Sequence, residues 1–252
     1  MIIGEWAEGV VRVRLKAVAT AQALFPSLAR GLPVVAIDTL RAATTAAAAL
    51  AAGAAAVRPV SGVEEAFLLK DRLPGAVLGG ERGMRPVPGF DAGNSPREYL
   101  RSLVRGREVI LTTTNGTLAL ARARAAAAVA FAALTTARLA AEWLAAQAGD
   151  EALIAMSGSD GGFSYEDALT AGAIASLVPG AELDDLLLTA CAAFAGRRRR
   201  LLEALRATPH GQRLIAAGYE GDIVLAARLG HARILPVRDR RDKGRLVGWR
   251  RR

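Results

Sequence analysis

Short apolar runs alternate with longer stretches of helical spacing along most of this chain. Pro33-Val34-Val35-Ala36-Ile37 holds no polar position and reads as a strand buried on both faces. Ala42 to Ala52, rich in alanine, predicts a helix ended by Gly53. Ala56 to Val60 predicts a second strand, and Val63 to Leu73 a helix with apolar spacing. Ala76-Val77-Leu78 predicts a third strand. Ser95-Pro96 reads as an N-cap with proline at the first helical position, opening a helix through Val104. Glu108 to Leu111 predicts a strand, and a helix starts at Asn115. Ala126 to Phe131 predicts another strand, followed by a helix from Thr135 to Gln147. Ala152 to Met156 predicts a strand, and Ser164 opens a helix to Leu177. Several helices are expected over about 182–229, with Arg233 to Val237 returning as a strand.

This alternation predicts an α/β fold of three layers, α/β/α, with a mainly parallel sheet and a helix-rich C-terminal part. No linker rich in Gly, Pro or Ser divides the chain, so residues 1–252 are expected to form a single domain. A hydrophobic share of 52% over 252 residues suffices for a sizeable core. No apolar run reaches the roughly 18 residues needed to span a bilayer. Met1 to Trp6 carries an early acid and no positive flank, which argues against a leader. The single cysteine, Cys191, cannot form an internal disulfide or a cysteine-based zinc site. Together these features predict a cytoplasmic protein.

The polar residues fall in clusters behind the predicted strands. Asp38 to Thr45 follows the first. Gly79-Gly80-Glu81-Arg82-Gly83 follows the third, with Pro88 to Pro96 close behind. Thr112 to Thr117 follows the fourth and Ser157 to Asp167 the sixth. In a parallel sheet all these strand ends lie on one edge, where open α/β sheets take their ligands, so the four segments are expected to converge. The candidate catalytic residues are Asp38, Arg41, Glu81, Arg82 and Asp91. Asp38, Glu81, Asp91, Glu166 and Asp167 are hard oxygen ligands of the kind magnesium takes together with substrate phosphate. Arg41 and Arg82 suit bidentate contact with an anion. Thr113, Thr114, Asn115 and Gly116 sit where a strand turns into a helix, a place suited to anions. Thr44, Asn94, Ser95, Ser159 and Ser164 are further candidate substrate contacts. Helix capping is the competing account of the threonines. For Asp167 it is the general preference for acids in a first helical turn.

A net charge of +9 raises the question of nucleic acid. The excess gathers in Arg197 to Arg200 and in a basic tail over 238–252. No aromatics interleave with the first run, and no helix-turn-helix or zinc-finger spacing appears. The runs therefore read as a solvated helix face and a charged end, with no specific nucleic-acid partner. The positive field would also draw in a small polyanionic substrate. No membrane partner is expected, and self-association is left open.

Other motifs fail on inspection. Cys191 and Arg197 have the spacing of cysteine phosphatases, but Ala192 to Gly196 continue an apolar helix. Asp38 begins a string like that of haloacid-dehalogenase phosphatases, yet Leu40 stands where a second aspartate belongs. Gly158 to Ser164 lacks the lysine of a phosphate-binding loop. His210 and His231 lack paired metal spacing, although His210-Gly211 after Pro209 could reach the polar clusters.

In order and spacing, from about residue 33 to residue 237, the chain resembles the 2-phosphosulfolactate phosphatase family. The resemblance lies in Ile37 to Thr45, Gly79 to Gly83, Gly89 to Pro96, Thr112 to Thr117 and Gly158 to Asp167. His210-Gly211 and Asp222-Ile223 also match. Met156-Ser157 and Leu229-Gly230 depart from the pattern, the second by lacking a carboxylate. The resemblance implies an α/β/α fold and a magnesium-dependent hydrolase. Such an enzyme converts 2-phospho-3-sulfolactate and water to 3-sulfolactate and phosphate. The partner expected from the site and the resemblance is a small acidic organic phosphate. A different small phosphorylated hydroxy acid, or a non-catalytic anion-binding homologue, is the alternative. Asp38, at a strand end facing Arg41, is the expected nucleophile or base for water, and both routes stay open.

Overall fold

The structure is a computed structural model and describes residues 13–147 and 149–251. The N-terminal stretch read against a leader lies outside the described residues. Three strands and three helices come first: β1 (Arg14–Val18), α1 (Pro26–Ala29), β2 (Pro33–Ile37), α2 (Ala42–Ala51), β3 (Ala56–Val60) and α3 (Val63–Arg72). Next are β4 (Val77–Arg82), β5 (Arg85–Pro86), α4 (Arg101–Val104), β6 (Glu108–Thr112) and α5 (Gly116–Arg122). Then come β7 (Ala128–Ala132), α6 (Ala137–Gln147), β8 (Glu151–Met156), α7 (Tyr165–Ala175) and β9 (Glu182–Leu183). The C-terminal part holds α8 (Asp185–Arg197), α9 (Leu201–Arg206), α10 (Pro209–Ala216), α11 (Glu220–Ala226), β10 (Leu235–Arg238) and β11 (Leu246–Trp249).

The strands form one mostly parallel sheet in the order β5-β4-β6-β3-β11-β10-β7-β2-β8-β1-β9. The α/β expectation and the helix-rich segment are borne out. β2 shows why the middle of the sheet is apolar throughout. Val35 and Ile37 pack into one core with α6, α7 and α8, while Val34 and Ala36 pack into another with α2 and α5. Side chains alternate between faces, so a strand covered on both sides must be apolar at every position.

Four expectations need correction. No helix runs from Ser95. Residues 91–100 are irregular, and only α4 is helical there. The side chains of this segment instead hold its own backbone: Tyr99 donates to the Gly93 carbonyl at 2.7 Å, and the Glu98 carboxylate accepts from the Gly93 amide. β1 and β9 were not foreseen, although Arg14 to Val18 begins with a polar/apolar alternation.

The basic tail is no tail. Residues 246–249 form β11, which lies between β3 and β10 in the interior of the sheet. The turn before it is tied down by ion pairs. Arg245 meets Asp239 at 2.7 Å and Glu108 at 3.1 Å, and Arg58 meets Asp242 at 2.7 Å. Arg197 to Arg200 are exposed at the end of α8, as expected of a solvated face.

The single shared edge also fails. β4, β6 and β3 are mutually parallel, and so are β7, β2, β8 and β1. Three antiparallel steps through β11 and β10 separate the two blocks, so they run in opposite senses along the sheet. The polar clusters converge nonetheless. Packing outside the sheet joins them: Gly116, at the start of α5 after β6, lies against Asp38 and Ala42 after β2, and α2 and α5 share one core.

Candidate functional site

Asp38 directly follows β2 and is buried, with 7% of its surface exposed. Its Oδ1 accepts from the Ala42 amide at 3.0 Å, in the first turn of α2. Gly116, the first residue of α5, lies against its other oxygen. A Cβ built there would stand 2.5 Å from Asp38 Oδ2, so only glycine fits. Burial first, then repulsion from Glu81 and Glu166, push the Asp38 carboxyl up to about 7. The amides of Ala42 and Gly116 pull the other way.

Glu81 comes from β4 and is held from two sides. Its Oε1 accepts from the Thr114 amide and hydroxyl at 3.3 and 3.2 Å, and its Oε2 from the Met84 amide at 2.8 Å. Met84 belongs to the two-residue turn between β4 and β5, where Gly83 and Met84 both have positive φ, 59° and 67°. That is the turn geometry matched to a twisted hairpin. Gly80, one residue before Glu81, has φ 135° and packs so closely that a Cβ would lie 2.0 Å from the Thr112 carbonyl oxygen. The strand-end glycines thus bring the Glu81 and Thr113 segments together.

Asp38, Arg41, Glu81, Asn94, Thr113, Thr114, Asn115 and Ser159 line one cleft of about 120 Å³. Eight of the sequence candidates therefore meet. Thr45 helps, since its hydroxyl donates to the Asn94 carbonyl at 2.8 Å and joins that loop to α2. Two buried polar atoms of the cleft, Asn94 Oδ1 and Thr113 Oγ1, have no hydrogen-bond partner among the described residues. Buried polar groups are nearly always paired, so these point to a polar ligand.

The other candidates do different work. Gly116 leaves room for Asp38. The Arg82 guanidinium folds back onto the carbonyls of Glu81 and Ser61 and the Thr112 hydroxyl, at 2.7, 3.1 and 2.8 Å. Asp91 is exposed and accepts from the Leu78 amide at 2.8 Å, outside the cleft. Thr44 donates to the Thr39 carbonyl at 2.8 Å. Ser95 donates to Asp222 at 2.6 Å. Ser164 caps α7 by accepting from the Asp167 amide at 3.3 Å.

Asp167 accepts two amides, from Thr39 at 2.9 Å and Gly158 at 3.1 Å, one on each oxygen. It joins two of the converging loops. Its carboxyl is pushed up by burial and by Asp38 and Glu166. Burial likewise raises Glu166.

His210 and Arg213 line the cleft from α10. The sequence reading allowed for His210 and missed Arg213. The signal was their spacing, since residues three apart share a helix face. His210 Nδ1 lies 3.6 Å from Glu166 Oε1, an ion pair only if the imidazole is protonated. Burial, with the Arg213 and Arg41 charges, pushes His210 down to about 4, so a neutral imidazole faces the carboxyl. Arg213 donates to Ser159 Oγ at 3.2 Å and pairs with Asp160 at 2.7 Å. Cys191 lies half-buried on α8, its thiol against the Gly172 carbonyl at 3.6 Å, and does not line the cleft.

For a metal, the expected five carboxylates reduce to fewer. Asp91, Glu166 and Asp167 do not line the cleft. Among the described residues no group of three or more His, Cys, Asp or Glu is arranged around one point. What remains suits a hard cation bound by one or two carboxylates and completed by substrate oxygens and water. Asp38 and Glu81 line the cleft, and their mutual repulsion is what such a cation would relieve. Among the described residues no helix is long and apolar enough to cross a membrane.

The comparisons with known proteins agree with one another. A family model described as 2-phosphosulpholactate phosphatase matches residues 20–241. A protein of Carboxydothermus hydrogenoformans named "Probable 2-phosphosulfolactate phosphatase" is 42% identical over 215 residues, covering 85% of this chain and 89% of its own. One of Symbiobacterium thermophilum with the same name is 41% identical, over 82% of this chain and 91% of its own. Another, of Deinococcus radiodurans, is 39% identical over 80% and 85%. With its motifs gathered into one cleft and relatives matching over most of its length, the chain belongs to the 2-phosphosulfolactate phosphatase family.

Proposed function

We propose that this protein is a phosphoric monoester hydrolase acting on 2-phospho-3-sulfolactate with the help of magnesium. The observation that carries the reading is the composition of the cleft. It sets a buried carboxylate, Asp38, and a buried guanidinium, Arg41, in one cleft with Thr113 Oγ1, a hydroxyl able to donate that has no partner among the described residues. A phosphoryl group needs such a mixture of cationic contacts, donors and one attacking or proton-accepting oxygen.

Arg41 holds the phosphoryl oxygens, and the Thr113 hydroxyl and Thr114–Asn115 segment complete the polar wall. Arg213, which lines the cleft from α10, suits a second acidic group of the substrate. Asp38 either attacks phosphorus, giving an acyl phosphate that water then opens, or takes the proton of an attacking water. Both routes release the hydroxy acid and inorganic phosphate. Trapping labelled phosphate on the protein separates the two. Asp38 and Glu81 would hold magnesium, which supplies charge neutralisation at the phosphoryl oxygens.

The experiment is phosphate release from a panel of small phospho-acids. Magnesium-dependent release, fastest with 2-phospho-3-sulfolactate, supports the reading. Failure to hydrolyse any member of the panel overturns it.

A further inference from the structure

Among the described residues the guanidinium groups lining the cleft are those of Arg41 and Arg213, and they differ in kind. Arg213 is exposed on α10, whereas Arg41 is buried beneath α11. Arg41 Nη1 donates to Asp222 Oδ2 at 2.9 Å, and the two side chains are only 3% and 1% exposed. The other Asp222 oxygen accepts from Ser95 Oγ at 2.6 Å. The Tyr219 ring lies against the guanidinium plane, with Arg41 Cζ 4.3 Å from its centroid. Neither Asp222, Ser95 nor Tyr219 lines the cleft.

These contacts hold one end and one face of the guanidinium. A buried ion pair is a poor source of stability, because desolvation offsets the attraction. Its more useful product is a fixed geometry. An arginine already immobilised loses little further side-chain freedom when an anion binds. The Ser95 bond and the Tyr219 ring hold Asp222 and Arg41 in turn, so the bracket is braced from two sides.

We propose that Asp222 is the positioning residue for the anion-binding Arg41, with Ser95 and Tyr219 completing the bracket. The inference deepens the phosphatase reading and rests on it for the role of Arg41. It adds α11 to α10 as a part of the C-terminal helical region that serves the site: α11 sets the angle at which Arg41 meets a phosphoryl group.

The test is a double-mutant cycle. Asp222→Asn, Arg41→Met and their combination are compared with the wild type, with Ser95→Ala as a variant that leaves both charges in place. Each is read by the Kd of inorganic phosphate with magnesium present, and by KM and kcat for phosphate release from 2-phospho-3-sulfolactate. Asp222→Asn should weaken phosphate binding and raise KM by roughly 10- to 30-fold, and Ser95→Ala by about threefold. In the Arg41→Met background the Asp222 change should cost less than about twofold, because its effect runs through Arg41. Should Asp222→Asn not fold, Ser95→Ala decides alone. Additive losses in the cycle, wild-type phosphate binding by folded Ser95→Ala or Asp222→Asn, or no phosphate binding by the wild type would each overturn the proposal. A wild type that binds phosphate but releases none from the ester overturns the phosphatase reading, and the phosphate cycle still decides the role of Asp222.

Discussion

Gly116 sits so close to Asp38 that a Cβ on it would lie 2.5 Å from Oδ2, and 2.8 Å from the buried Phe131 ring. The missing methyl makes room for the carboxylate between the starts of α2 and α5. Gly116→Ala should therefore push Asp38 out of place, because neither the ring nor the helix can retreat far. We expect kcat to fall by about 100-fold or more, with overpacking costing about 1–3 kcal/mol. Kinetics and thermal melting of the same preparation check both. A variant with wild-type kcat would show that the Asp38 position does not matter to turnover.

Asp167 makes the opposite case, a carboxylate at the site that serves the backbone. Its oxygens accept from Thr39 and Gly158, so an amide in its place would turn an N–H toward one of those donors. Asp167→Asn should cost roughly 1–3 kcal/mol of stability. Its magnesium affinity should remain near wild type, whereas Asp38→Asn should lose it. Titration calorimetry distinguishes the two. Loss of magnesium binding in a folded Asp167→Asn protein would return Asp167 to the metal.

Asp38 titrates at about 7 in the folded chain, against 3.8 for the free side chain. For a raised acid, the stabilising contribution is fully present below pH 3.8 and is lost as the pH rises through about 7. Glu166 and Asp167 shift in the same direction. The Tm of chelated protein should therefore fall between about pH 4 and about pH 7 and level off above, and fall less steeply in Asp38→Asn. Magnesium should recover the loss at the upper end. Equal slopes in the two proteins would contradict this assignment.

The parts of the fold legible in the sequence were those written locally. Pro33 to Ile37 announced β2 by being apolar at every position, and Asp38 to Arg41 followed as a polar cluster. Glu81 and Arg82 shared a candidate list, yet they are neighbours on β4, and neighbours on a strand face opposite ways. One lines the cleft and the other turns to Ser61 and Thr112. The pairing of Arg41 with Asp222, 181 residues away, has no local signal at all. The same holds for β11: its four residues are embedded in arginines, so charge hid a central strand.

That strand gives a prediction opposite to the one its charge suggested. Deleting 239–252 removes the neighbour on which both β3 and β10 pair. The truncated chain should lose its cooperative thermal transition, seen by circular dichroism. A solvated tail would instead leave the Tm unchanged, and that result would remove β11 from the core of the sheet.

The most direct measurement is phosphate release from 2-phospho-3-sulfolactate by the wild type and by Asp38→Asn, each with magnesium and with excess chelator. We expect release by the wild type only with magnesium, and a loss of about 10²–10⁴-fold in a folded Asp38→Asn protein. Full turnover in chelator, or by Asp38→Asn, would contradict the assignment of this cleft.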